Sequence, residues 1–183
     1  MKKIKWILII IVALGMIAYG FIKVRQANTK KYSPEDTVGY IKNDLQMSVF
    51  YNRPYKKGRP IFGGLVPYNE VWRTGANEAT VFTTNKDLTI NGQHLPAGKY
   101  TLWTIPDSEQ WQVIFNERQY IWGVTNEGVA SRDPQYDTVN VFIPIESLPE
   151  VTEQFTISFA EQNGHVMLRF EWDQTRVSVP ISY

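Results

Sequence analysis

The sequence predicts an all-β domain, an antiparallel β-sandwich or jelly-roll-like barrel, carried behind one N-terminal transmembrane or signal helix. Three observations predict it. Trp6 to Ile22 is an uncharged run of 17 residues with lysines on both sides. From Leu45 onward the apolar residues recur mostly at period two, in short runs. Asn-Gly pairs at 91–92 and 163–164 separate such runs, and this dipeptide is the strongest short-range hairpin signal.

The apolar run spans about 26 Å as a helix, just short of a hydrocarbon core of about 30 Å. Lys2, Lys3 and Lys5 precede it, Lys23 and Arg25 follow it, and Trp6 and Tyr19 sit near its ends, where amphipathic rings favour the headgroup zone. Residues 1–25 therefore read as a signal anchor with a transmembrane helix at about 6–22. The alternative is a cleaved secretory signal, with Ala18 and Gly20 as its small residues. The short lysine-rich start belongs on the cytoplasmic side, so the domain is expected to be periplasmic, or secreted if the signal is cleaved. Residues 26–44 read as a polar tether with a short helical turn at Thr37–Asp44. Residues 45–183 read as the β domain.

Strands follow in order. Leu88–Ile90 and His94–Leu95 flank the first Asn-Gly turn, and Tyr100–Ile105 comes next. Trp111–Phe115 and Val139–Ile143 carry apolar residues on both faces, as central strands of packed sheets do. Across the second Asn-Gly turn, a two-residue loop sets Phe159 opposite Leu168, Ile157 opposite Phe170 and Phe155 opposite Trp172. All three pairs are apolar and share one face, as a correct register requires. If Asp173-Gln174 is a further loop, Val177, Val179 and Ile181 extend that face, and Glu171 stands opposite Arg176 as a cross-strand ion pair. Pro180 lacks an amide hydrogen and marks the last strand as an edge or a terminus.

Composition narrows the function. The chain has 183 residues, 19 Lys+Arg, 18 Asp+Glu and no cysteine. Seven of the basic groups lie in residues 1–31, which hold no acid, so the body carries 12 basic against 18 acidic groups. An acidic body argues against nucleic acid as a partner. The absence of cysteine excludes disulfides, thiolate metal sites and a thiol nucleophile. His94 and His165 lie beside turns without ligand neighbours, so no metal and no cofactor is expected. Nucleophile-elbow, P-loop and dinucleotide motifs are missing.

Two segments are unusual. Tyr51–Pro60 holds four cations and two tyrosines among turn residues; it suits an anionic ligand or a sugar, or it is a charged connection covering a sheet edge. Val71–Thr80 gathers Trp72, Arg73, Asn77 and Glu78 on a loop containing Gly75. A ring, a planar cation, an amide and a carboxylate together suit a polar ligand. The alternative is a structural plug in which Arg73 pairs with Glu78. With Arg53, these four are expected around one concavity at an end of the domain.

The strings at 51–68, Val71–Thr80 (VWRTGANEAT), Leu95–Tyr100 (LPAGKY) and Thr175–Ile181 (TRVSVPI) resemble the bacterial family named domain of unknown function 2911. The resemblance covers about Leu45 to Ile181 and implies an all-β, exported domain. It implies no activity, substrate or cofactor. The expected function is binding, by a membrane-tethered domain, of a small polar, anionic or glycan-like ligand or of an envelope protein. A carboxylate-dependent hydrolase acting on glycans, using Glu78 and a second acid, is the alternative. Oligomeric state stays open.

Overall fold

The computed structural model describes residues 2–183; Met1, inside the expected anchor, lies outside the described residues. Helix α1 runs Lys2–Tyr32 and is long and apolar enough to cross a membrane; its most apolar 18-residue stretch has a mean hydropathy of 2.5 and is not buried inside the protein. It continues past Ile22 because Lys, Arg, Gln and Ala at 23–31 are good helix formers. It stops at Ser33, since Pro34 disfavours helical geometry in the residue before it. The tether expected from residue 26 onward is therefore helical as far as Tyr32.

The second unit, residues 33–183, is an open antiparallel sheet. Its strands are β1 Glu35–Lys42, β2 Leu45–Asn52, β3 Thr80–Thr84, β4 Leu88–Ile90, β5 Gln93–Leu95, β6 Gly98–Pro106, β7 Gln110–Asn116, β8 Asp137–Gln162 and β9 His165–Ser182. Their order is β1-β2-β3-β6-β7-β8-β9-β4-β5, so the end strands β1 and β5 do not close a barrel. The helical turn expected at 37–44 is instead strand β1 and its tight turn into β2. Val38 and Tyr40 alternate with exposed residues and pack on the core, and Asn43 adopts φ 54 in the turn. Pairing with β2 along all eight residues decides for a strand there.

The Asn163-Gly164 turn sets Ile157 opposite Phe170 and Phe159 opposite Leu168, as the apolar pattern requires. The ladder shifts between Thr152 and Thr156, yet Phe155 and Trp172 still meet, with ring centroids 5.8 Å apart. Strand β9 cannot be straight. Its 18 residues would extend roughly 55–60 Å, yet His165 Nδ1 and Ser182 Oγ at its two ends are 3.0 Å apart. The chain reverses at Asp173 (φ 55), and Arg176 Nε bonds Glu171 Oε1 across the reversal. Strand β8 rises beside the second arm (Ile145 opposite Val177), arches over the turn, and descends beside the first (Thr156 opposite Glu171).

Pro180 does not mark an edge, because β4 pairs beside it. Ile90 lies opposite Ile181, and the Asn91 amide donates to the Pro180 carbonyl at 2.9 Å. The missing amide hydrogen falls level with the Asn91-Gly92 turn, where the ladder ends. Where β8 leaves β9, the Gln93 side chain completes the pairing: its amide donates to Asn140 O at 2.9 Å and accepts from Asn140 N at 3.1 Å.

One face of the sheet holds the core. Val49, Phe82, Leu102, Phe115, Leu168, Phe170 and Val179 are fully buried there, beside an aromatic group of Phe62, Trp72, Trp111, Phe155 and Trp172. A large aromatic removes roughly 150–250 Å² from water, worth several kcal/mol at about 25 cal/mol per Å². On the outer face Ala79, Trp103 and Ile114 form a second cluster with Val71, Ile105, Tyr120 and Ala130. Apolar residues on both faces thus suit β7. They do not suit β8, where Phe142 is 57% exposed, because the outer cluster is built on β6 and β7 and does not include it.

Candidate ligand site on the outer face

The 72–78 loop begins as an added strand on β6. Trp72 and Thr104 exchange backbone bonds of 2.7 and 3.0 Å, which fixes opposite directions for neighbouring side chains. Trp72 turns inward, stacks on Trp172 (centroids 6.0 Å, 17° between planes) and donates its indole N–H to Gly75 O at 3.0 Å. Its ring is a core element, and the stacking role expected for it goes to Trp172.

The loop then tightens through unusual backbone. Thr74 has φ 53, Gly75 φ 148 and Asn77 φ 57. A Cβ on Gly75 would stand 2.8 Å from Asn52 O, so only glycine fits. A β-branched residue at positive φ costs of order 1–3 kcal/mol. Thr74 is held there by Thr80 Oγ1 donating to its carbonyl (2.7 Å) and by its own hydroxyl on Thr104 Oγ1 (3.2 Å).

Arg73, next to Trp72, turns outward. Its alkyl chain lies against Gly123, where a Cβ would come within 2.3 Å of Arg73 Cδ and 2.7 Å of its Cβ. Gly123 belongs to the 117–133 loop, and its amide donates to Asn77 O at 3.0 Å. That loop is pinned at its base. Arg132 grips Asp137 with two bonds, and Asn116 donates to Asp137 Oδ1 and Asp133 O, each at 2.8 Å. The Asp133 amide donates to the Tyr120 hydroxyl at 2.8 Å. Half-covered by this loop, Arg73 has a buried Nε without a hydrogen-bond partner, and among the described residues it makes no ion pair. Burial holds its pKa below the usual guanidinium value. The pair with Glu78 that a structural plug would require is absent.

The same loop contributes to an amide-carboxylate chain. Asn77 Nδ2 donates to Asn52 Oδ1 at 3.3 Å, and Asn52 Nδ2 donates to Glu78 Oε2 at 3.0 Å. Arg73, Asn77 and Glu78 therefore share one loop on the outer face. Arg53 is engaged elsewhere. Its guanidinium reaches Phe155 O (3.3 Å), Asp36 Oδ2 (3.1 Å) and Thr156 Oγ1 (3.1 Å), tying β1 and β2 to β8. The 51–59 and 72–78 segments do converge, but through Asn52. The alternation Leu45, Met47, Val49, Tyr51 inward along β2 points Asn52 outward, and that parity was the signal for it. Nothing in the sequence points to Gly123.

The basic segment at 53–59 covers β8 where its ladder with β9 is broken. Lys56 N donates to Glu153 O (2.7 Å), Phe155 N to Pro54 O (2.9 Å), and Lys56 Nζ pairs with Asp173 (2.6 Å). The side chain of Arg59 bonds the carbonyls of Tyr55 and Lys56. A covering connection explains these contacts.

Fold and site together define an open antiparallel β domain, with an apolar helix ahead of it and a polar loop cluster on its outer face. The chain belongs to the family described as protein of unknown function (DUF2911), whose model matches residues 33–181, from the start of the body to the penultimate residue of β9. Among curated proteins and among solved structures, none matches it.

Proposed function

We propose that this is a membrane-tethered, extracytoplasmic β domain that binds a small polar ligand through an anionic group, with Arg73 receiving that group. The observation that supports it is the Arg73 side chain, half-buried and without a partner among the described residues. An unpaired charge in such a place is destabilising unless something compensates it. A planar guanidinium is the side chain best shaped for a carboxylate or phosphate. Asn77, on the same loop, is joined to Asn52 and adds a polar group to the segment. The apolar length of α1, with a short lysine-rich start, supports the tether and the exported body.

A thermal-shift series on the full chain in detergent, with acetate and inorganic phosphate as probes, tests the site. A ligand at a hundredfold excess over its Kd adds about 2.7 kcal/mol, or roughly 5–11 °C for a domain of this size. Arg73→Lys keeps the charge, loses the fork and is expected to abolish the shift while leaving the unliganded Tm almost unchanged. A large fall in Tm with the shift intact would end the proposal. Protease added to intact spheroplasts is expected to remove the body and leave α1 in the membrane; a body that survives until lysis would be cytoplasmic.

A further inference from the structure

We infer that the open edge of β1 is where a second copy of this chain docks, β1 against β1 in antiparallel pairing about a two-fold axis at Gly39. Neither Arg73 nor its ligand enters into this contact.

The direction of the backbone groups defines the edge. Lys42 and Leu45 close the turn at Asn43-Asp44, and the closing pair of a two-residue hairpin exchanges hydrogen bonds. Bonded pairs alternate from there, so Asp36, Val38 and Tyr40 use their backbone groups on β2. The Arg53 amide donates to the Pro34 carbonyl at 2.8 Å and keeps the same alternation. Thr37, Gly39 and Ile41 therefore turn their amides and carbonyls away from β2, on an end strand of the sheet. The Thr37 amide donates to Asp36 Oδ1 at 2.8 Å. Among the described residues, none bonds the outward groups of Gly39 and Ile41. Thr37, Gly39 and Ile41 are all exposed, Ile41 at 74%. The other end strand, β5, has three residues and offers a much shorter template.

Strand β1 is complementary to its own reversal. With Gly39 opposite Gly39 of the second copy, Thr37 meets Ile41 and Asp36 meets Lys42, each twice by symmetry. The outward-bonding residues then face one another across the axis, so both edges gain ladder bonds in one register. Gly39 brings no side chain to the centre, and Ile41 gains a β-branched neighbour. Opposite charges meet at both ends, whereas a parallel copy would set Asp36 beside Asp36. These matches favour a copy of the chain over an unrelated extended peptide. Eight residues of edge cover less than the roughly 1,200 Å² of a stable complex, so the dimer is expected to be reversible and concentration-dependent.

The chain has no cysteine, so Gly39→Cys introduces a single thiol. A Cβ there meets only Met47 O, at 3.8 Å, and is accommodated. In a bonded antiparallel pair the two Cα atoms lie about 5.5 Å apart, within reach of a short bis-methanethiosulfonate. With the full chain in detergent, Gly39→Cys is expected to cross-link to a dimer at least about tenfold faster than Ser108→Cys, on an exposed turn elsewhere. Ile41→Pro removes an outward amide and leaves the β1–β2 bonds intact. It is expected to give a monomer by light scattering, with Tm within about 3 °C of wild type. Equal cross-linking at the two positions, or no wild-type dimer up to about 1 mM, would overturn the edge pairing. A folded Ile41→Pro that still dimerises would place the contact elsewhere on the chain and overturn it too. If Ile41→Pro lowers Tm further, the comparison of Gly39→Cys with Ser108→Cys decides alone.

Discussion

Replacing Arg73 by methionine is expected to make the unliganded protein more stable. The alkyl part of Arg73 packs on Gly123, and methionine retains a chain of similar width through Cγ and Sδ. What it removes is a guanidinium whose Nε is buried without a partner. A buried unsatisfied polar group costs about 1–3 kcal/mol. Because the guanidinium is only half-covered, the lower half of that range applies, so Arg73→Met should gain about 1 kcal/mol. For a domain of this size that is roughly 2–4 °C in Tm. Differential scanning calorimetry of the full chain in detergent, wild type beside variant, reads it directly. Arg73→Ala is the control: it also discards the packing on Gly123, so it should lie below Arg73→Met. A fall in Tm for Arg73→Met of more than about 1 kcal/mol would show that the guanidinium makes a stabilising contact. The reasoning that treats Arg73 as held in reserve for a ligand would then fail.

Three further expectations follow from the same geometry. Gly75→Ala meets both φ 148 and a 2.8 Å approach to Asn52 O, and should lose roughly 2–4 kcal/mol in urea denaturation; a loss below about 1 kcal/mol would mean the loop relaxes freely. Arg132→Ala leaves Asp137, with a side chain only 13% exposed, without its bidentate partner, and should lose about 3–5 kcal/mol, with faster amide exchange at 117–131; unchanged exchange there would show that the pair does not pin the loop. Tyr40 and Lys42 both donate to Glu161 and hold its carboxyl below the usual glutamate range, while burial first and then Glu161 raise the Tyr40 phenol. Because the folded-state pKa of Glu161 is depressed, its contribution is present above the ordinary glutamate pKa of about 4.3 and lost as pH falls through the lower folded value. Glu161→Gln should flatten stability against pH in that acidic window, and an unchanged acid limb would refute the linkage.

What the sequence determined by itself is local. A 17-residue uncharged run is long enough for an apolar helix, and Asn-Gly between alternating apolar residues favours a two-residue turn and hence a register. The pairs Ile157–Phe170 and Phe159–Leu168 were legible for that reason: a slip by one residue would put every apolar side chain in water. Strand β1 was not legible, because eight mixed residues beside a proline carry weak propensity, and only pairing with β2 decides their state. Tertiary structure also sorted the candidate residues. Residue types at 72–78 announced a polar cluster, but its members divide by facing: Trp72 entered the aromatic core, Arg53 was taken up by β1 and β8, and Asn52 replaced it. Whether Arg73 found a protein partner depended on a loop more than 40 residues away, since Gly123 covers its alkyl chain and brings no acid to its head. Burial and pairing of a charge are set by whatever the chain folds against it, and that information is spread over the whole fold rather than written beside the residue.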